Sequence, residues 1–262
     1  MVKDFENSGL WAVVVGGSSG LGLASARKLA QHGMNICVIY RSSRSGLDEI
    51  RQNLLEITEL GVQMIEFNLD ALNQERILEV CQKLRAEIGE NKIRCLLHSL
   101  AKGNLKPMIG ENSLSTEDFS LTINAMAINL FSWTKSVFDN QLFADDARVL
   151  TFTSEGSSKS IPSYAAVSAA KSALESIIRS IAVEFAESGI RANAIQAGVT
   201  ETSSLKLIPG YEKIMSHSIS RNPFNRLTTP EDIANVVYLL CKDEASWING
   251  SIIIADGGEN LR

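Results

Sequence analysis

The chain has 262 residues, 45% of them hydrophobic and 21% charged, with a formal net charge of −5. That length can bury a sizeable core, and the composition excludes a disordered chain, a collagen-like repeat and a disulfide scaffold. A mildly acidic chain without a basic tract does not suit nucleic-acid binding by electrostatics, so no such partner is expected. The start, Met1-Val2-Lys3-Asp4-Phe5-Glu6, lacks an apolar signal-peptide core. No apolar run reaches the roughly 18 residues of a membrane helix, so a soluble cytoplasmic protein with no membrane partner is expected. Cys37, Cys81, Cys95 and Cys241 are far apart and form no CxxC pair. They read as buried thiols in a reducing compartment, and no metal site is expected.

Short apolar runs rich in Val, Ile and Leu predict strands at 12–15, 36–40, 63–67, 94–98, 148–153, 192–196 and 251–255. Their nearly continuous hydrophobicity suits strands covered on both faces. Between them, helical patterns run over 21–32, 46–60, 73–88, 116–140, 163–187 and 230–242. Strand–helix alternation predicts an α/β doubly wound Rossmann fold, with about seven parallel strands and helices on both faces. No linker or repeat interrupts the pattern, so residues 1–262 read as one domain. The segment 199–229, with Pro209-Gly210 and Pro223, fits this rhythm least. It is expected to be a substrate-binding loop or lid, or else a loosely packed surface excursion.

Val13-Val14-Val15 leads into Gly16-Gly17-Ser18-Ser19-Gly20-Leu21-Gly22 and then into a helical stretch. Glycines there let the backbone turn sharply and approach a pyrophosphate, while the helix N-terminus offers free N–H groups and a positive dipole end. A plain tight turn is the alternative. The Gly-x3-Gly-x-Gly spacing of Gly16, Gly20 and Gly22 resembles that of the short-chain dehydrogenase/reductase family, with Val15 where the family usually has Thr. The end of the second strand should meet the adenosine ribose, where an acid favours a free 2′-hydroxyl and a base favours a 2′-phosphate. The sequence there is Tyr40-Arg41-Ser42-Ser43-Arg44, with no carboxylate before Asp48. Arg41 can fork onto a phosphate with Ser42 and Arg44 in support, so NADPH is expected over NADH. A solvated basic loop is the alternative.

The fifth strand ends at Ser154, and a helix is expected to start near Ile161-Pro162-Ser163-Tyr164, with Pro162 in its first turn. Common members of the resembled family carry Ser at this strand end, then Tyr four residues before Lys. Here Ser154 stands 17 positions before Lys171, but position 167 is Val and the nearest tyrosine is Tyr164. On a regular helix, four and seven residues both keep Tyr within about 40° of the Lys face, while the axial offset grows from about 6 to about 10 Å. A phenol set further from the nicotinamide suits a 2-enoyl thioester. There hydride goes to C3 and charge appears on the thioester oxygen, two carbons away.

Tyr-x6-Lys resembles the bacterial enoyl-[acyl-carrier-protein] reductases, a divergent branch of that family. His98-Ser99-Leu100-Ala101, Ile161-Pro162-Ser163-Tyr164, Asn193-Ala194-Ile195-Gln196-Ala197-Gly198 and Asp256-Gly257-Gly258 agree with it. Ser154 replaces a further aromatic residue of many members, as in the NADPH-using variant. The resemblance implies that Tyr164 hydrogen-bonds the thioester oxygen. It implies that Lys171 binds the nicotinamide ribose and holds positive charge near the phenol, and that Ser154 contacts substrate or Tyr164. Asn124 would support the lysine. Asn68 and Leu69 would meet the adenine. Ser99, Leu100, Ala101, Gly198, Thr200 and Thr202 would complete a cofactor site begun by Gly16, Ser18, Ser19, Gly20, Leu21 and Gly22. The implied substrate is an acyl thioester on acyl carrier protein and the implied assembly a homotetramer. The alternatives are a 3-oxoacyl or ketone reductase and a non-catalytic NADP-binding regulator.

Overall fold

The computed structural model describes residues 3–208 and 210–262, so Met1, Val2 and Pro209 lie outside the described residues. Seven parallel strands form one sheet in the order β3-β2-β1-β4-β5-β6-β7. They are β1 (Leu10–Val15), β2 (Asn35–Tyr40), β3 (Met64–Asn68), β4 (Lys92–His98), β5 (Phe143–Thr153), β6 (Ile190–Ala197) and β7 (Ile252–Ala255). All seven expected strands are present, with ends shifted by up to five residues. The helices are α1 (Gly20–Gln31), α2 (Leu47–Thr58), α3 (Gln74–Ile88), α4 (Thr116–Ile123), α5 (Asn129–Asp139), α6 (Ala165–Glu184), α7 (Ser203–Lys206), α8 (Tyr211–Arg221) and α9 (Pro230–Cys241).

Alternation along β1 builds two cores. Trp11, Val13 and Val15 pack on one face with residues of α3, α5 and α6. Ala12 and Val14 pack on the other with residues of α1, α2 and α9. Side chains of a strand point alternately up and down, so an all-apolar run is what a doubly covered strand requires. All four cysteines are buried free thiols in these cores. Among the described residues no helix is long and apolar enough to cross a membrane.

Two expected helices differ in detail. The 116–140 stretch divides at a π-helical turn, Asn124–Ile128, between α4 and α5. The 163–187 stretch begins only at Ala165. Pro162 therefore does not sit in a first helical turn. It is the second residue of a turn closed by Tyr164 N–H donating to Ile161 O. Ser163 follows at φ 61°, the positive third position of a type II turn, which Pro at the second position favours. Segment 199–229 is not a loose excursion in its described part. It holds α7, capped by Thr202, and α8.

At the N-terminal ends of β4, β5 and β6, three arginines converge on Asp146. Arg94, Arg148 and Arg191 all donate to its carboxylate. The same guanidiniums donate to the carbonyls of Cys241, Leu240, Lys242 and Ser246, fastening the end of α9 and the turn after it to the sheet. Burial pushes the Asp146 carboxyl up, but the hydrogen bond and charge of Arg148, with the charges of Arg94 and Arg191, outweigh it and hold it below its ordinary value. A depressed carboxyl contributes stability above its unfolded pKa and loses it as pH falls through the folded one. Asp146→Ala should cost about 3 kcal/mol in denaturant unfolding at pH 7, because it strands the buried Arg148 charge. The difference from wild type should shrink below about pH 4. A variant as stable as wild type at pH 7 contradicts this account of the cluster.

Candidate active site

The strand order reverses between β1 and β4, and a pocket of about 640 Å³ opens at the C-terminal ends of the strands there. Crevices at such a switch point are where open α/β sheets bind ligands. The glycine loop forms one wall. Gly16 has φ 90°, and a Cβ on it would lie 2.7 Å from Ser99 O. A Cβ on Gly22 would lie 2.3 Å from Gly16 O. The loop thus admits no side chains where it turns onto β4. Helices α3, α4 and α9 are capped by Asn73, Ser115 and Thr229. The N-terminus of α1, by contrast, carries no side-chain cap and no acidic residue in its first turn. It faces the pocket through Ser19, Gly20 and Leu21, leaving backbone donors and a positive dipole end for an anion.

Of the residues singled out from sequence, Gly16, Ser18, Ser19, Gly20, Leu21, Arg41, Leu69, Ser99, Leu100, Ala101, Ser154, Tyr164, Lys171, Gly198, Thr200 and Thr202 line this pocket. Thr202 comes from the 199–229 segment to face Gly20 across it, 3.5 Å from where a Cβ would stand. Gly22 packs behind the wall. Ser42 and Asn68 pair with each other instead, Ser42 N–H donating to Asn68 Oδ1 at 3.0 Å and Asn68 Nδ2 to Ser42 O at 3.2 Å. They join the ends of β2 and β3 rather than lining the pocket. Arg41 reaches the rim, where its guanidinium donates to Asp70 Oδ2 at 2.8 Å. The expected basic corner therefore contains a carboxylate that the sequence reading passed over.

Asn124 is misplaced by the sequence reading. The wide π turn points it outward and exposed, while Ala125, Met126 and Ala127 turn inward. The buried asparagine is Asn129, whose Nδ2 donates to Ala71 O at 2.8 Å. Its Oδ1 is then left to accept from His98 Nε2 at 3.1 Å. This fixes the tautomer: Nε2 carries the proton and Nδ1 is a lone-pair acceptor. Burial pushes the His98 imidazole down to about 4, and the Lys171 charge adds to that against the Asn129 bond. His98 is therefore neutral near pH 7. Its Nδ1 is buried without a partner among the described residues, and His98 lines the pocket. A strand-end histidine beside a hydroxyl was visible in the sequence; its asparagine partner, 31 residues on, was not.

Strand β5 and helix α6 bring Ser154, Tyr164 and Lys171 to the same pocket. Lys171 is buried, and its Nζ donates to Phe152 O at 2.7 Å. Burial lowers its pKa to about 8, with Glu175 opposing. Tyr164 stands before α6 at φ −115°, not on the helix, so a regular helical offset from Lys171 does not describe it. Its ring lies over Gly156, where a Cβ would meet Cε1 at 2.7 Å. Burial raises the phenol's pKa, and nearby Ser154 partly offsets this. Lys171, expected to favour the phenolate, is not among the groups that move it. Ser154 Oγ is buried without a hydrogen-bond partner among the described residues. Two orphaned polar groups, a side-chain-free cradle and an uncapped helix start fit a dinucleotide, whose pyrophosphate the glycine loop and the start of α1 would hold.

A sheet of this order with such a cradle and a Ser, Tyr, Lys trio defines a nucleotide-dependent oxidoreductase of the short-chain class. A family model described as Enoyl-(Acyl carrier protein) reductase matches residues 15–260, and the chain belongs to that family. It is 30% identical over 219 residues to the enoyl-[acyl-carrier-protein] reductase [NADH] FabI of Buchnera aphidicola subsp. Baizongia pistaciae, covering 82% of each chain. It is 32% identical over 267 residues to a tropinone reductase homolog of Arabidopsis thaliana, covering 98% of this chain and 96% of the other. The crystal structure of the enoyl-[acyl-carrier-protein] reductase (NADH) of Aquifex aeolicus VF5 superposes with a TM-score of 0.85 over 98% of both chains, at 24% identity.

Gly22→Ala should weaken NADH and NADPH binding at least about tenfold in a fluorescence titration, because its Cβ has no room beside Gly16 O. Gly61→Ala, whose φ of 85° is equally unusual but whose surroundings are open, should leave affinity unchanged. Equal effects contradict the cradle.

Proposed function

We propose that the protein is an NADPH-dependent enoyl-[acyl-carrier-protein] reductase, reducing the 2,3 double bond of a trans-2-enoyl thioester in fatty acid or polyketide synthesis. The observation that carries this reading is the position of the Tyr164 phenol, before α6 and over Gly156, beside the buried Ser154 hydroxyl. Position 167, where a carbonyl reductase of the class has its phenol, holds a buried valine packed with Met126 and Ala170. Ile161, Leu205, Leu207, Ile208 and Ile214 add an apolar wall suited to an acyl chain.

NADPH, when bound, supplies the hydride. The chain's part is to orient and to manage charge. The glycine loop and the start of α1 would hold the pyrophosphate. Lys171, held by Phe152 O, offers its remaining ammonium donors to the ribose. Tyr164, kept protonated by burial, would hydrogen-bond the thioester oxygen as hydride addition at C3 puts negative charge there, and the enolate would then take a proton from water at C2. Neutral His98 offers its Nδ1 lone pair as an acceptor in the pocket floor without adding charge.

Arg41 supports NADPH. Its pairing with Asp70 uses one arm of the guanidinium and leaves other donors for a 2′-phosphate. Self-association as a homotetramer has support in apolar side chains left open on the edge strand β7 (Ile252, Ile254) and on α4, the π turn and α5 (Leu121, Ile128, Phe131). A second reading, reduction of a ketone or 3-oxoacyl thioester, draws on the Ser154 hydroxyl and on the tropinone reductase homolog.

Tyr164→Phe should lower NADPH oxidation with crotonyl-type thioesters by at least about 100-fold and leave NADPH affinity within about twofold. Unchanged turnover contradicts the assignment. Arg41→Asp should weaken NADPH about tenfold or more and NADH far less. Equal weakening removes the case for the phosphate.

A further inference from the structure

We propose that Glu175 is a positioning residue for the site: through Thr153 its carboxylate clips the end of β5 to α6, and it is the counter-charge that faces the Lys171 ammonium. The proposal rests on the reading of Lys171 as a cofactor-binding group. Thr153 Oγ1 donates to Glu175 Oε1 at 2.6 Å. Thr153 stands between Phe152, whose carbonyl receives Lys171, and Ser154. Glu175 stands four residues after Lys171, on the same face of α6. One short charge-assisted bond therefore ties the strand that carries Ser154 to the helix that carries Lys171.

The counter-charge matters because Lys171 is desolvated. Burial lowers its pKa to about 8, and Glu175 is the group that opposes the shift. The other groups around Lys171 carry no negative charge or have it engaged by other donors. His98, from β4, is neutral. Thr153 and Ser154, from β5, are hydroxyls, and the Tyr164 phenol stays protonated. At the rim, Arg221 donates to Glu155 at 3.1 Å and to Glu259 at 2.9 Å, taking up those carboxylates. Asp256 accepts from the backbone of Gly258 and Asn260. Without Glu175 the ammonium would lose its proton at lower pH, and the ribose would lose its charged donor.

The test is NADPH affinity by fluorescence titration from pH 6 to pH 10. Wild-type affinity should fall as pH rises through about 8, where Lys171 loses its proton. Glu175→Gln keeps the acceptor for Thr153 but removes the charge. It should move that alkaline limb down by about one pH unit and leave affinity at pH 6 within about twofold. Glu175→Asp, which keeps a charge, should hold the limb within about 0.3 unit of wild type. An unmoved limb in Glu175→Gln, or an equal loss of affinity at every pH, overturns the proposal. If Glu175→Gln proves unstable, Thr153→Val carries the test through the clip: it keeps the carboxylate charge, so the limb should stay within about 0.3 unit while NADPH affinity falls at every pH, and unchanged affinity overturns the clip. Lys171→Met separates the underlying reading: it should abolish the limb and weaken binding at every pH. If it binds as wild type does, the role of Lys171 fails, whatever Glu175 does.

Discussion

The site depends on one desolvated ammonium held by one carbonyl. Lys171 lies buried on α6, and its Nζ reaches Phe152 O near the end of β5. A buried lysine is costly unless each hydrogen has an acceptor. Phe152 O takes one and directs the others toward the pocket. That contact fixes helix against strand, and Ser154 is carried two residues past the carbonyl. The pocket's opposite wall is equally constrained, because a Cβ on Gly16 or Gly22 would collide with backbone oxygen. Between these two fixed walls lies the space for an extended dinucleotide.

Two charge clusters sit at opposite ends of the sheet. At the N-terminal ends of the strands, Asp146 collects three arginines, which also reach carbonyls at the end of α9 and in the turn after it. At the C-terminal ends, charges meet partners in the pocket or at its rim: Lys171 faces Glu175, Arg221 pairs with Glu155 and Glu259, and Arg41 with Asp70. Neutral His98 and protonated Tyr164 leave the pocket floor with little free charge of its own. Such a floor suits a reaction whose negative charge appears only at the transition state.

Most of the fold was legible because a doubly covered parallel sheet writes itself as short apolar runs between helical periods. The glycine cradle and the trio of Ser154, Tyr164 and Lys171 were legible because they are local motifs at element ends. What depended on irregular backbone was not. The π turn at Asn124–Ile128 shifts the helical phase, so Asn124 faces outward and Asn129 inward. The turn at Pro162-Ser163 takes Tyr164 off the helix, so its distance from Lys171 does not follow from counting residues. Pairings distant in sequence, such as Arg41 with Asp70 and Thr153 with Glu175, left no mark in either local pattern.

The central claim is that the phenol, displaced from position 167 to the turn before α6, serves a conjugated thioester rather than a simple carbonyl. The most direct measurement offers the enzyme equal amounts of a 2-enoyl and a 3-oxoacyl thioester of the same chain length with NADPH, and identifies the first products by mass spectrometry. The saturated acyl thioester should dominate. Predominance of the 3-hydroxyacyl product would contradict the account.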